Sequence, residues 1–129
     1  MSAVLDCNIS FIGGGNMAQA LIGGLVARGL APTRITVSDP VEGVRDILDE
    51  KGVQVTTDNA AAVLVADVVV FAVKPQVLSQ VLKPLHGLCD GKLIVSIVAG
   101  AEVATIANLL GTERVVRVMP NTPALVQIG

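Results

Sequence analysis

The residues of this sequence with the clearest chemical use are glycines. Gly13-Gly14-Gly15-Asn16-Met17-Ala18 lies between an apolar run, Asn8 to Ile12, and a helical pattern, and it fits G-x-G-x-x-[G/A]. Between a strand and a helix this spacing has a mechanism. The first glycine permits a tight turn, the second lets the backbone approach a pyrophosphate, and the third small residue lets helix and strand pack closely. The phosphates then face the helix N-terminus, where unpartnered N–H groups and the helix dipole favour negative charge. A dinucleotide site is therefore expected here, against the simpler reading of a glycine turn that only packs. Met17 is expected to pack in the helix, with its backbone N–H close enough to the turn to face phosphate.

A dinucleotide also needs a ribose reader, an acidic residue at the end of the second strand about 20 residues beyond the glycines. Asp39 is the candidate. A carboxylate there accepts hydrogen bonds from the ribose hydroxyls of NAD and repels the 2′-phosphate of NADP. The same Asp also reads as a turn former before Pro40. Ser38 could donate to a phosphate, whereas Arg34 and Arg45 could reach one only if the loop turns them inward. On these residues NAD and NADP both stay open.

In an open α/β sheet the ligand lies beyond the carboxyl ends of the strands, near the point where strand order reverses. Polar breaks fall at such ends at Ala72-Val73-Lys74-Pro75, at Ser96 to Gly100, and at Met119-Pro120-Asn121-Thr122-Pro123. Lys74 follows an apolar strand and precedes a proline that fixes its backbone, so it reads as a ligand contact or as a solvated loop lysine. Ala99 and Gly100 leave room for a flat ring or ribose, or mark only a sharp turn. Asn121 and Thr122 are substrate-side candidates, able to donate to a carboxylate or a nicotinamide, or else to satisfy their own double-proline loop. His86, the sole histidine, sits beside Gly87 near a helix end and reads as a cap or a solvent-facing group. Cys7 and Cys89 read as small apolar fillers, and no Cys/His cluster has metal-ligand spacing.

These residues need a scaffold that sets strand ends side by side. The 129 residues are 52% apolar, yet hold two Phe and neither Trp nor Tyr, so branched aliphatics must build the core. Such runs suit strands buried on both faces of a parallel sheet. Strands are expected at Asn8–Ile12, Ile35–Ser38, Val53–Val55, Val68–Val73, Leu93–Val98 and Val115–Met119, with Val68–Val73 central. Helices are expected at Asn16–Arg28, Val41–Lys51, a short one capped by Asp58, then Gln76–Leu85 and Glu102–Leu110. The alternation predicts an α/β fold: a Rossmann-type doubly wound, mainly parallel sheet of about six strands, filling residues 1–129 as one domain.

A formal charge of −2 without blocks of like charge, and the shortage of aromatic residues, exclude nucleic-acid and anionic-lipid binding by charge or stacking. The run Val68–Val73 is strand-length, whereas a membrane-spanning helix needs about 20 apolar residues. Met1 to Asn8 lacks the basic segment of a signal peptide. No membrane partner and a cytoplasmic location are expected. The mean hydropathy of +0.70 is nonetheless high for a soluble monomer of this size.

Taken together and in this order, Phe11 to Met17, Ala72 to Pro75, Ser96 to Gly100 and Met119 to Pro123 resemble the amino-terminal half of a pyrroline-5-carboxylate reductase, from about Asn8 to Gly129. The resemblance implies an enzyme of proline biosynthesis that reduces the C=N bond of 1-pyrroline-5-carboxylate to L-proline with NADPH or NADH. It implies cofactor contacts at Ile12, Gly13, Gly14, Gly15, Asn16, Met17, Ser38, Asp39, Asn59, Val73, Lys74 and Ala99. Two positions depart from the pattern: Val98 stands where the family has a small residue, and an acidic Asp39 argues against exclusive NADPH use. In that family the substrate-binding residues, a hydroxyl near the imine nitrogen and the interface of the dimers or higher homo-oligomers belong to a helical carboxy-terminal domain. The resemblance therefore implies a fragment without that domain, with no catalytic residue of its own and little or no activity alone. A stand-alone dinucleotide-binding module or subunit is the competing reading. Imine, β-hydroxyacid and F420-linked reductases share the glycine turn but are not expected to combine Ala-Val-Lys-Pro with Met-Pro-Asn-Thr-Pro. The high hydropathy would then reflect a surface around Pro123 to Ile128 that lies against the missing domain or a partner chain.

Overall fold

The structure, a computed structural model, describes residues 6–118. Strands β1 (Ile9–Ile12), β2 (Ile35–Ser38), β3 (Gln54–Thr56), β4 (Val68–Phe71), β5 (Leu93–Ser96) and β6 (Val115–Arg117) form one sheet in the order β3-β2-β1-β4-β5-β6. All neighbours are parallel. This is the Rossmann order, and it reverses between β1 and β4, which leaves a crevice at their carboxyl ends.

Helices α1 (Asn16–Ala27), α2 (Glu42–Glu50), α3 (Asn59–Leu64), α4 (Leu78–Leu82) and α5 (Val103–Leu110) connect the strands. Alternation along the strands sorts the core into two layers. Ile12, Val69, Phe71 and Ile94 pack with Ala62 and Val63 of α3, Leu78 and Leu82 of α4, and Ile106 and Leu110 of α5. Phe11, Ile35, Val37 and Val70 pack on the other face with Ala18 and Ile22 of α1 and Leu48 of α2. The buried polar Ser10 fits because its hydroxyl donates to the Ala62 carbonyl at 2.6 Å.

Local signals set most boundaries. Asp58 caps α3, its Oδ1 accepting from the Ala61 N–H at 3.2 Å. Gly111 closes α5 in a left-handed conformation at φ +74°. Elsewhere the structure corrects the sequence reading. The helix expected over Gln76–Leu85 is broken into 3₁₀ turns at Pro75–Val77 and Lys83–Leu85 around the short α4. Each 3₁₀ turn carries a proline in its first turn, Pro75 and Pro84, and Pro84 ends α4 because it offers no N–H and its ring crowds the carbonyl four residues earlier. Strand β4 ends at Phe71 rather than Val73, since its neighbour β1 stops at the glycine turn and Ala72 makes the last bond, to the Ile12 carbonyl at 2.8 Å. Strand β5 stops at Ser96, whose Oγ accepts the Val98 N–H at 3.2 Å and folds the chain out of the ladder. Strand β3 lies one residue later than expected, and β6 ends at Arg117.

On the α1 face, an apolar cleft of about 390 Å³ lies between Leu21 and Leu25 of α1 and Val95, Ile97 and Val118. These aliphatic side chains account for part of the high mean hydropathy, whereas Pro123 to Ile128 lie outside the described residues.

Candidate functional site

The site grows from the end of β1. Gly13 takes φ +102°, a conformation that L side chains rarely adopt. A Cβ there would stand 2.7 Å from the Ala72 carbonyl oxygen. The turn is tied to the end of β2: the Gly13 N–H donates to the Ser38 carbonyl at 2.8 Å, and the Gly14 N–H to Asp39 Oδ2 at 2.9 Å. Gly14 has its own reason to be glycine. A Cβ at that position would meet the Val37 and Val44 Cγ1 atoms at 2.9 Å and Leu48 Cδ1 at 3.0 Å. The motif assigns no role to this middle position; the role comes from residues of β2 and α2 that local spacing does not reveal. Gln19 was likewise not anticipated, and its Nε2 braces the turn by donating to the Gly14 carbonyl at 2.8 Å.

Gly15 differs from both. It is exposed, and a Cβ would meet nothing within 4 Å. It caps α1 without a side-chain hydrogen bond, and the first turn of α1 holds no acidic residue. The N–H groups that a helix start leaves without internal partners therefore border open space. That space is a cleft of about 370 Å³, bounded by the Gly15-to-Met17 turn, by Val73 and Lys74 beyond β4, and by Ile97 and Ala99 beyond β5. The ends of β1, β4 and β5 thus converge; of the three polar breaks expected at the site, Ala72–Pro75 and the break after Ser96 border this cleft, whereas Met119–Pro123 lies outside the described residues. Lys74 is exposed at this cleft, while the atypical Val98 borders it but is only 2% exposed and packs into the core behind. A Gly15→Ala variant is expected to lose about 1 kcal/mol or less of stability, the scale of an N-cap change, but to weaken dinucleotide binding about tenfold or more by filling the phosphate space. Parallel urea unfolding and NADH titration check this split.

A second cluster lies on the β2 side of the turn. Asp39 is half-buried, its Oδ2 accepting from Gly14 and its Oδ1 from the Val41 N–H at 2.8 Å. The ribose-reader and turn-former readings of Asp39 are thus compatible, because each oxygen accepts one amide and keeps a further lone pair. Ser38 corrects an expectation: its buried hydroxyl donates to Asn59 Oδ1 at 2.5 Å and is not presented as a phosphate donor. Arg34 is turned away, its Nη1 on the Asp6 carbonyl at 2.7 Å and Asn8 Oδ1 at 3.3 Å. Arg45 stays close, with Nη1 donating to the Asp39 carbonyl at 2.8 Å.

The remaining candidates stand apart. His86 is exposed beside Gly111, and Cys89 is fully buried, where burial pushes its thiol pKa up. Cys7 is half-buried against the α1-side core. Asn121 and Thr122 lie outside the described residues. Among the described residues no group of His, Cys, Asp and Glu could hold a metal ion, and no helix is long and apolar enough to cross a membrane.

The fold, the glycine turn and the converging strand ends have a counterpart among known proteins. Residues 8–100 match the family model described as NADP oxidoreductase coenzyme F420-dependent. The chain belongs to this family. It is similar to the pyrroline-5-carboxylate reductase of Pasteurella multocida, 47% identical over 128 residues that cover 95% of this chain and 46% of that protein. The protein of the same name from Pseudomonas aeruginosa is 49% identical over 124 residues, covering 94% and 45%. Among solved structures, a pyrroline-5-carboxylate reductase from Coxiella burnetii superposes with a TM-score of 0.86 at 42% identity, over 94% of this chain and 46% of that one. The Plasmodium falciparum pyrroline carboxylate reductase with NADP bound gives 0.79 at 27% identity, over 95% and 45%. The resemblance read from the motifs is borne out. The chain spans about half the length of the curated relatives it matches.

Proposed function

We propose that these residues form the dinucleotide-binding half of a cytoplasmic reductase that converts 1-pyrroline-5-carboxylate to L-proline with NADH or NADPH. The observation that carries this reading is the cleft where Gly15 leaves unfilled space beside the start of α1. The similarity to pyrroline-5-carboxylate reductases supplies the substrate class.

The residues present fit such a cofactor. The amides of Gly15, Asn16 and Met17 would hold the pyrophosphate, where the helix dipole adds positive potential. Lys74 would add a mobile ammonium at the opposite wall. Asp39 would take the ribose hydroxyls, with Ile12, Gly13 and Gly14 shaping the turn and the bonded pair Ser38 and Asn59 closing that side. Val73 and Ala99 would flank the nicotinamide and keep water from its reacting face. When bound, the nicotinamide supplies the hydride for the C=N bond. The imine nitrogen also needs a proton donor or orienting hydroxyl in reach. Among the described residues that line the cleft, Lys74 is the sole titratable side chain.

The 129-residue chain is therefore expected to bind NADH or NADPH saturably, read by nicotinamide fluorescence. Its turnover of 1-pyrroline-5-carboxylate is expected to be at least roughly 100-fold below that of a full-length relative assayed alongside, because substrate positioning and proton transfer each carry factors of that size. Absence of dinucleotide binding overturns the whole reading. Comparable turnover overturns the assignment of catalysis to residues outside this cleft.

A further inference from the structure

We infer that this site prefers NAD(H) over NADP(H), with Asp39 setting the preference; the inference rests on the dinucleotide reading above. The Asp39 carboxylate is held in place by two backbone amides, Gly14 N–H at 2.9 Å and Val41 N–H at 2.8 Å, that anchor it between the glycine turn and the start of α2. An immobilised acceptor-only group matches the two donating hydroxyls of an unmodified ribose. It opposes a 2′-phosphate, which adds up to two negative charges.

The surroundings do not reverse that sign. From Asp39 to Asp46 the chain carries three carboxylates, Asp39, Glu42 and Asp46, against one guanidinium, Arg45. Arg45 is bonded to the Asp39 carbonyl, and Arg34 is directed to Asp6 and Asn8 instead. The Ser38 hydroxyl is taken by Asn59. Even the anion-favouring start of α2 is already occupied, since the Val41 N–H is bonded to Asp39 and Glu42 lies in the first turn. A 2′-phosphate would meet a fixed like charge, and the one cation beside it, Arg45, is already held through Nη1 on the Asp39 carbonyl. At separations of a few ångströms and partial solvent exposure, that repulsion corresponds to a preference of roughly tenfold or more.

The test is a pair of fluorescence titrations of the 129-residue chain with NADH and NADPH. Tighter NADH binding by about tenfold is expected, and raising salt from about 0.02 to 0.5 M should narrow the gap by screening the repulsion. A site that grips the 2′-phosphate with cations shows the opposite, NADPH losing more affinity in salt than NADH. Asp39→Asn removes the charge but leaves one acceptor oxygen for the two amides, a loss that weakens both cofactors alike, so the readout is the NADPH-to-NADH ratio of Kd values, which should fall about tenfold. Preference for NADPH, salt dependence of the opposite sign, or an unchanged ratio in Asp39→Asn overturns the inference and leaves Asp39 as a brace for the turn. Failure to bind either cofactor instead removes the dinucleotide reading itself. The salt series uses the unsubstituted chain, so it decides the matter even if the variant does not fold.

Discussion

Gly13→Ala is expected to remove about 2–6 kcal/mol of stability and to weaken dinucleotide binding by roughly 10–100-fold. Two separate costs combine at this position. Holding an alanine at φ +102° costs of order 1–3 kcal/mol. Its Cβ would also lie 2.7 Å from the Ala72 carbonyl oxygen, and overpacking of this kind adds about 1–3 kcal/mol. The contact cannot be relieved by turning a side chain, because the obstacle is backbone. Ala72 is bonded through its N–H to the Ile12 carbonyl at 2.8 Å, and β4 is paired on both sides. The available relief is to move the turn away from β4, which displaces the amides that border the cleft. Losing one charge-assisted hydrogen bond corresponds to about 1.5–3 kcal/mol, hence the stated range in affinity. Urea unfolding and NADH titration on the same samples provide the check. Unchanged stability would show that the turn accommodates a side chain, and unchanged affinity would separate the turn from the cofactor. The contrast with Gly15→Ala is the informative part, since there affinity should fall while the fold holds.

That contrast also shows what kind of information the sequence carries. The glycine pattern, the acidic residue after β2 and the apolar strands each depend on neighbours close in the chain, so the β2 limits, the Asp58 cap and the converging loops were all legible. The helix expected over Gln76–Leu85 ran through Pro84 without allowing for it; in the structure α4 ends at Leu82, just before that proline. Other features depend on distant partners. Gly14 is glycine because Val37, Val44 and Leu48 crowd it, and Ser38 is withdrawn because its hydroxyl donates to Asn59 Oδ1. Asp39 was found by its distance from the glycines, but no spacing rule states that both of its oxygens already hold amides from different loops. Periodicity locates candidates, whereas the availability of their polar atoms is settled only by the pairings that folding makes.

Phe71→Ala is expected to remove about 3–5 kcal/mol of stability, because a buried aromatic leaves a cavity that its surroundings refill only in part. Phe71 is fully buried, on an interior strand between Ile12 of β1 and Ser96 of β5. It packs in the layer that holds α3, α4 and α5. The other buried residues of this layer are smaller aliphatics and Cys89, which cannot span the gap, and the second Phe, Phe11, lies on the opposite face of the sheet. For a chain of this length total stability is on the order of 6–19 kcal/mol, so the loss is a large fraction of it. A fall in melting temperature of roughly 10–20 °C follows. Binding should respond differently. The Phe71 side chain points into the core, and the cleft is built from the backbone that follows, Ala72 to Pro75. Well below the melting transition, NADH affinity should therefore stay within about threefold of the parent, a change of less than about 1 kcal/mol. Phe71→Leu, which keeps more of the volume, should recover a substantial part of the lost stability. A Phe71→Ala variant with little thermal change would mean that this layer is not packed as described. A variant that loses binding while still folded would mean that the cleft depends on the core behind it, and not only on the glycine turn and the strand ends.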